Sequence, residues 1–414
     1  MTAEIVPDRA IAQNLPRWIA VFQRLIRCTS TFEHEHAAIA VVEEELKRIG
    51  FSPVAVEFEP AMLMRLPGSQ PPYSPVPGRR NLVAKLPGRG GGRSIILNCH
   101  LDVVPADDST EWTYPPFSGE IAGNAIYGRG SYDDKAGAVI CLALLDLFST
   151  ARERLAGDII VQFVLEDEIT GNGSLLCLHA GHVADAAIII DGTRGSSGIN
   201  AHAGNIRFGV RVRGEPASVG VSHMGSNAAE MLARLLLELR EAVFGLNARN
   251  TALWKVFPSP NQLSTLSLHC DETLLTVPAD ASAVCYATFT PPMTLATFRS
   301  MIEAVARDFT ESHQLPHAPA FDWNAFATEP VASASVALEQ TIGSAARKVS
   351  DKAISFGPST GSSDLRHFAA RGIPCVLFGP GVGYNPHRAN EHFQLESLSE
   401  TVRILFCAVD EWCR

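Results

Sequence analysis

The sequence lacks a basic excess, a secretory signal pattern and any long apolar run. It has 34 lysines and arginines against 44 aspartates and glutamates, a formal net charge of −10. Nucleic acids and anionic membranes are bound through clustered positive charge, so this balance argues against both as partners. No uninterrupted apolar stretch reaches the roughly 18 residues of a membrane-spanning helix, and the opening MTAEIVPDRA is not typical of a signal peptide.

The sequence also lacks any C-x-x-C pair among its nine scattered cysteines. It therefore indicates neither a zinc knuckle nor a disulfide framework, and it favours reduced thiols in a cytoplasmic protein. The hydrophobic fraction of 46% and charged fraction of 19% are those of a globular chain. Because 414 residues exceed the size that one hydrophobic core usually serves, we expect two domains.

Apolar strands and helices alternate in the first half of the chain. The predicted elements are the strand Ser94–Asn98, the helix Ala136–Phe148, the strand Asp158–Leu165 and the strand Ala186–Asp191. Continuous apolar strands are typical of a sheet that is buried on both faces. This order therefore predicts an α/β domain with helices on both faces of a mixed sheet.

A different pattern follows the Gly/Ser cluster at residues 195–198. The predicted elements there are the strand Ile206–Val212, the helix Asn227–Val243, strands at Leu263–Leu268 and Ala283–Thr290, and the helix Leu295–Phe309. This order indicates a smaller, ferredoxin-like α+β domain. Because the α/β pattern returns afterwards, we predict a discontinuous domain of residues 1–197 and 319–414, with residues 198–318 inserted as a lid.

Polar side chains follow three of the apolar strands directly. His100, Glu168 and Asp191 each come at or just after a predicted strand end, where open α/β sheets gather their ligands. A single acid at such a place is usually a helix cap or a turn residue. Three successive occurrences favour one shared site instead.

An adjacent acid pair, Asp133-Asp134, precedes the helix predicted from residue 136. The pair has two interpretations: it stabilises the positive N-terminus of that helix, or it belongs to the same site. Imidazole together with several carboxylates suits zinc, cobalt or manganese. A site of two divalent cations needs a carboxylate that bridges them. We expect zinc, with cobalt or manganese as alternatives.

The spaced motifs resemble those of the M20 metallopeptidases, which include acetylornithine deacetylase, succinyl-diaminopimelate desuccinylase, aminoacylase and glutamate carboxypeptidase. The resemblance covers nearly the whole chain. It is carried by His100-x-Asp102, Gly-Arg-Gly-x-x-Asp133, the acidic triplet 166–168, Asp191-Gly192 and the segment Asn385–Glu391.

The resemblance implies a role for each matching residue. His100 and Asp191 would hold one cation, Glu168 and His387 would hold the other, and Asp133 would bridge the two. Asp102 would hydrogen-bond the imidazole of His100 and fix its tautomer. The Asp133–Asp134 peptide would be cis, and the inserted domain would form a homodimer.

The resemblance also implies the catalytic base and some substrate contacts. The base would be the residue before Glu168, which is Asp167 where the family has glutamate, and Glu166 is the alternative. The loop with Thr360 and Gly361 would contact the substrate, supported by Asp364 and Arg366. For that acid and base, an ordinary ion pair beside a turn is the other interpretation.

The lid departs from the family pattern. Ser218 stands where the family has a histidine that stabilises the oxyanion, and losing one such donor costs about 100- to 1000-fold in rate. His223 or His202 would take over this role, unless they are ordinary surface or core histidines.

Two functions therefore remain in view. The first is a metal-dependent hydrolase that cleaves the amide bond of a small N-acylated amino-acid-like substrate. The second is a catalytically impaired, metal-binding homologue with an auxiliary role, because Asp167 and Ser218 replace the family's residues. A metal-free α/β protein is a third hypothesis, which elemental analysis distinguishes from the other two.

Overall fold

The computed structural model describes residues 7–106, 109–193 and 195–414. Within those ranges the chain divides into two units: Met1–Asn200 with Ala332–Gly357 and Ser363–Arg414, and Ala201–Val331 with Pro358–Ser362. The predicted fold, a discontinuous α/β part that is interrupted by an α+β part, is confirmed. The predicted domain boundaries, at residues 197/198 and 318/319, stay a prediction.

The helices of the described residues are α1 (Asp8–Ile26), α2 (His36–Arg48), α3 (Pro60–Leu63), α4 (Lys135–Thr150), α5 (Asn172–His179), α6 (Ala228–Gly245), α7 (Leu295–Ser312), α8 (Val336–Ser350), α9 (Leu365–Ala369) and α10 (Leu395–Trp412).

The strands are β1 (Val54–Glu57), β2 (Arg80–Leu86), β3 (Ile95–His100), β4 (Glu120–Ala122), β5 (Ala125–Tyr127), β6 (Ile159–Val164), β7 (Ala187–Ile189), β8 (Ser197–His202), β9 (Gly204–Arg213), β10 (Gln262–Cys270), β11 (Asp280–Phe289), β12 (Ala320–Asp322), β13 (Ala327–Thr328), β14 (Val331–Ala332), β15 (Ser355–Ser359), β16 (Cys375–Leu377), β17 (Gly383–Tyr384) and β18 (His392–Gln394).

The main sheet of the first unit has parallel strands at its centre. Its neighbouring strands run in the order β1-β2-β6-β3-β7-β16. From β6 to β16 each pair is parallel, whereas β1-β2 and β2-β6 are antiparallel. Every residue of β3, β6 and β7 is buried, as the continuous apolar runs predict for a sheet covered on both faces. Because these strands are parallel neighbours, their carboxyl ends meet at one edge.

Helix α4 packs against the main sheet next to this edge. It is apolar around most of its circumference, because it packs against β3 and also against α1 and α10. The Asp134 carboxylate caps its N-terminus by accepting a hydrogen bond from the Gly137 amide at 3.1 Å. Asp134 thereby fixes the loop before α4 near the carboxyl ends of the parallel strands.

The second unit contains an antiparallel sheet with the order β10-β11-β9-β12, and β13 also pairs with β9. Buried residues alternate along β9 and β11, and these side chains pack with α6 and α7 into a core of their own. All five elements that the sequence predicts in residues 206–309 are present, with ends that differ by up to three residues.

No helix of the described residues is long and apolar enough to cross a bilayer. The nine cysteines are free thiols, and all but Cys28 and Cys270 are buried. Buried free cysteines of this kind behave as small apolar core residues.

Candidate active site

His100, Asp133 and Asp191 come together at the carboxyl edge of the main sheet. Each offers one ligand atom, and these atoms lie within 4.8 Å of one another. His100 is the last residue of β3, Asp191 follows β7, and Asp133 lies in the loop before α4. His100 Nε2 and Asp133 Oδ1 are 3.0 Å apart.

Asp133 belongs to a second group, with Glu168 and His387, whose ligand atoms also lie within 4.8 Å of one another. His387 Nε2 is 3.1 Å from Asp133 Oδ2 and 3.0 Å from Glu168 Oε2. One oxygen of Asp133 therefore faces His100 and the other faces His387. A carboxylate placed in this way has the geometry of a bridge between two cations.

The electrostatics of the two groups also suit cations. Burial raises the pKa of Glu168 to about 8, and the charge of Asp133 adds to the shift. Burial and the Asp133 charge raise the pKa of Asp191 well above its ordinary value. These carboxyls repel one another and are removed from water, so a divalent cation between them would stabilise their ionised forms. The donor set of two imidazoles and three carboxylates fits a pair of zinc-like ions.

The adjacent acids of the loop before α4 have separate tasks. Asp133 faces the two histidines, whereas Asp134 is fully buried and caps α4. The two interpretations of the pair thus apply to one residue each. The peptide bond between them is cis, as the resemblance predicts.

Asp102 approaches His100 with both its backbone and its side chain, and its predicted role stays a prediction. The His100 Nδ1 atom lies 2.9 Å from the backbone carbonyl of Asp102, whereas the Asp102 carboxylate is 3.5 Å away. A carbonyl only accepts, so Nδ1 carries a proton, and Nε2 faces the site. The Asp102 carboxylate instead accepts hydrogen bonds from the amides of Asp167 and Glu168, at 3.3 and 3.2 Å.

The two candidates for the catalytic base have different environments. Asp167 is half-buried, and burial raises its pKa above the ordinary value although the charge of His100 opposes the shift. Glu166 is 1% exposed, and its carboxylate accepts hydrogen bonds from Arg79 and Thr170, both at 2.5 Å. The oxygens of Glu166 are therefore occupied inside the protein, and which of the two residues is the base stays a prediction.

Sequence reasoning gave no role to Glu391, which is fully buried beside the cluster. Its carboxylate accepts hydrogen bonds from the amides of Tyr132 and Asp133, at 2.9 and 3.1 Å, and from Arg129 Nη1 at 2.7 Å. Glu391 therefore connects the loop of Asp133 to the loop of His387. Arg129 belongs to the Gly-Arg-Gly-x-x-Asp133 motif, and Glu391 ends the segment Asn385–Glu391. Their place in these motifs is the sequence feature that could have indicated a role for them.

Asp364 and Arg366 border the turn that carries the acidic triplet. Asp364 is 1% exposed, and burial raises its pKa to about 8, with a contribution from the charge of Asp167. Arg366 Nη2 donates to the Thr170 carbonyl at 2.8 Å and lies 3.6 Å from Asp364 Oδ1. Their contact with a substrate stays a prediction.

The other predicted substrate contacts lie in the second unit. Thr360 and Gly361 belong to its segment Pro358–Ser362, and His223 is an exposed residue after Ser218. Their roles stay predictions. His202 is fully buried, and its Nδ1 lies 2.8 Å from the Ala203 carbonyl, as in an ordinary core histidine.

Known proteins share both the sequence pattern and the fold. Residues 96–411 match the family model of Peptidase family M20/M25/M40. The chain is 26% identical over 362 residues to N-formyl-4-amino-5-aminomethyl-2-methylpyrimidine deformylase of Bacillus subtilis, covering 81% of this chain and 84% of that protein. It is 26% identical over 411 residues to succinyl-diaminopimelate desuccinylase of Rhodospirillum centenum, covering 96% and 97% of the two chains.

Among solved structures, the fold is similar to that of the Bacillus subtilis YXEP protein, described as a dinuclear metal binding peptidase from the M20 family. The TM-score is 0.70 at 14% identity, and the match covers 97% of this chain and 98% of that one. The family match spans most of the chain, and it does not favour an auxiliary role without catalysis. This chain belongs to Peptidase family M20/M25/M40, a metal-dependent family, and is a hydrolase of amide bonds.

Proposed function

We propose that this enzyme hydrolyses the amide bond of a small N-acylated amine, with two divalent cations held at the edge of the main sheet. His100 and Asp191 hold one cation, Glu168 and His387 hold the other, and Asp133 bridges them. The observation that carries the proposal is the division of the two Asp133 oxygens between the two histidines. A formyl or succinyl group on the substrate nitrogen is supported by the names of the similar enzymes.

Bound cations supply Lewis-acid polarisation of the scissile carbonyl and lower the pKa of water. Zinc suits the imidazole and carboxylate donors, with cobalt or manganese as alternatives. The protonated Nδ1 of His100 keeps its Nε2 aimed at the cluster. Asp102 holds the amides of Asp167 and Glu168, so the base and one ligand share a single support.

Asp167 carries the proton in this proposal. Its carboxylate accepts a proton from the attacking water and returns it to the leaving nitrogen, as general acid–base catalysis requires. Burial raises its pKa toward the range in which a carboxyl group both accepts and donates. Asp364 and Arg366, with Thr360, Gly361 and His223 of the second unit, are proposed to contact or support the substrate.

We infer that the second unit forms a homodimer through β10. This strand is an edge of its sheet, and Leu266 and Leu268 on it are 54% and 53% exposed. Leu237 and Phe244 of the adjacent α6 are 54% and 55% exposed. An edge strand with exposed apolar side chains pairs readily with a second copy.

The activity is tested with protein loaded with zinc, cobalt or manganese and assayed on N-formyl amines, N-succinyl amino acids and dipeptides. We expect turnover on at least one class, and Asp167→Asn should lower kcat by about 10²- to 10⁴-fold, because asparagine cannot carry the proton. The exposed Asp280 of the second unit provides a matched control, and Asp280→Asn should leave kcat within about twofold. A fully loaded protein without turnover on any class would contradict the proposal, and a loss below about tenfold would exclude Asp167 as the proton carrier.

Cation binding should strengthen as the pH rises. Without cations, Glu168 has a pKa of about 8, and hydrogen bonds with Asp133 and Glu168 raise the pKa of His387 to about 10. Below these values both groups hold protons that a cation must displace. Cobalt affinity should therefore rise between pH 6 and 8 by about tenfold per pH unit for each proton released. Calorimetric titration in buffers of different ionisation enthalpy measures the release, and an affinity independent of pH would contradict the ligand assignment.

The dimer is tested by sedimentation velocity. The wild-type protein should sediment with about twice the chain mass of 44.6 kDa, and Leu268→Lys should shift it to the monomer, because a buried lysine charge opposes pairing of the edge. Val54 on β1 is equally exposed on the edge of the other sheet, so Val54→Lys is the control that should stay dimeric. A monomeric wild-type protein at micromolar concentration would refute the inferred interface.

A further inference from the structure

The turn that carries the proposed base begins with an unusual backbone conformation. Glu166 has a φ of 70°, in the left-handed region that residues other than glycine rarely adopt. Its carbonyl accepts hydrogen bonds from the amides of Thr170 and Gly171, at 2.9 and 2.6 Å, which closes the turn. Asp167 and Glu168 lie inside this turn, so their directions depend on the conformation at Glu166.

The Glu166 side chain is anchored by three donors. Arg79 Nη1 and the Thr170 hydroxyl each donate to it at 2.5 Å, and Asn172 Nδ2 donates at 3.2 Å. Thr170 and Asn172 belong to the far end of the same turn and the start of α5. The carboxylate thus ties the two ends of the turn together, and Arg79 attaches them to the rest of the first unit.

Arg79 is itself held on its other side. Its Nη2 and Nε donate to Glu35 at 2.5 and 3.2 Å, and its guanidinium lies 4.7 and 5.0 Å from the ring centres of Phe32 and Phe58. Arg79, Glu35 and Glu166 are each at most 1% exposed. Burial alone would lower the pKa of Arg79, but its two glutamate partners raise it, so the guanidinium stays charged.

A buried cation between two buried acids is a costly arrangement for stability alone, because desolvation offsets most of the attraction. The position of Arg79 is informative, since its Nη1 donates to Glu166, the residue directly before the proposed base. Aspartate at 167 is one methylene shorter than the glutamate that the family resemblance predicts. Its carboxylate therefore has less reach to compensate for a shift of the backbone.

We propose that Arg79 and Glu166 are positioning residues for amide hydrolysis: the buried pair fixes the turn, so that the Asp167 carboxylate and the Glu168 ligand point into the cluster. Arg79 reaches neither of them directly and acts only through Glu166. The inference rests on the proposed function, since it takes Asp167 as the proton carrier. It adds a residue from outside every motif to the machinery of the reaction.

The test compares Arg79→Lys and Glu166→Gln with the wild-type protein, each loaded with cobalt. Lysine keeps the charge but loses the fork that reaches both glutamates, and glutamine keeps the shape but loses the charge. Both should lower kcat by about 10- to 100-fold with KM within about threefold, because a displacement near 1 Å at the reacting groups has this effect. The cobalt content should stay at the wild-type level, and the cobalt absorption spectrum should change because Glu168 moves with the turn.

Asp410→Asn is the matched control. Asp410 is a buried carboxylate that accepts hydrogen bonds from Arg154 Nε and Nη2, at 2.9 and 2.8 Å, and it joins α10 to another part of the first unit. Its loss should lower the melting temperature while kcat and the cobalt spectrum stay at the wild-type values. If Glu166→Gln does not fold, Thr170→Val decides, because it removes one hydrogen bond to the same carboxylate; a fall in kcat of about 3- to 10-fold is expected.

Folded, cobalt-loaded Arg79→Lys and Thr170→Val proteins with kcat within about twofold of the wild type would overturn the inference. The cobalt spectrum separates this failure from that of the proposed function. If the wild-type protein shows no turnover but Arg79→Lys changes the spectrum and Asp410→Asn does not, the pair positions the Glu168 ligand and the proposed function fails. If the wild type shows no turnover and Arg79→Lys leaves the spectrum unchanged, both fail.

Discussion

The site depends on how Asp133 shares its two carboxylate oxygens. Each oxygen faces a different histidine, one from the end of β3 and one from a loop more than 250 residues later in the chain. Hydrogen bonds with these histidines lower the pKa of Asp133 below its ordinary value although burial opposes the shift. The pKa values of Glu168 and Asp191, the other acids of the two groups, are raised instead. Asp133 is therefore the carboxylate of the two groups that ionises most readily.

The surrounding polar residues hold this arrangement through the backbone more than through the side chains. Asp134 caps α4, and Glu391 accepts hydrogen bonds from the amides of Tyr132 and Asp133. Asp102 accepts a hydrogen bond from the amide of Asp167 on the other side of the cluster. Amide hydrogen bonds fix the direction of a loop whatever its side chains are. Buried carboxylates suit this task because ionised acceptors form the stronger hydrogen bonds.

The sequence was sufficient for the alternation of strands and helices, for the inserted α+β part and for the gathering of His100, Glu168 and Asp191 at one sheet edge. Those features follow from apolar periodicity and from the rule that parallel strands end together. Asp133 and His387 were added by the resemblance to the M20 metallopeptidases. The sequence did not predict that a carbonyl of Asp102 contacts His100, since that depends on backbone direction within two residues. It left Glu166 as an alternative to Asp167 for the base, because the partner that occupies the Glu166 carboxylate, Arg79, lies 87 residues earlier and outside every motif.

His100 and His387 differ greatly in their contact with water. The side chain of His100 is 2% exposed, whereas that of His387 is 51% exposed and extends from a loop in which Asn385 and Asn390 also have positive φ. Two cations held by these histidines would not be equivalent: the one at His387 would exchange with the solvent quickly, and the one at His100 would leave slowly. The enzyme would then pass through a singly occupied form whenever metal is scarce, and its activity would follow the supply of the more loosely held ion.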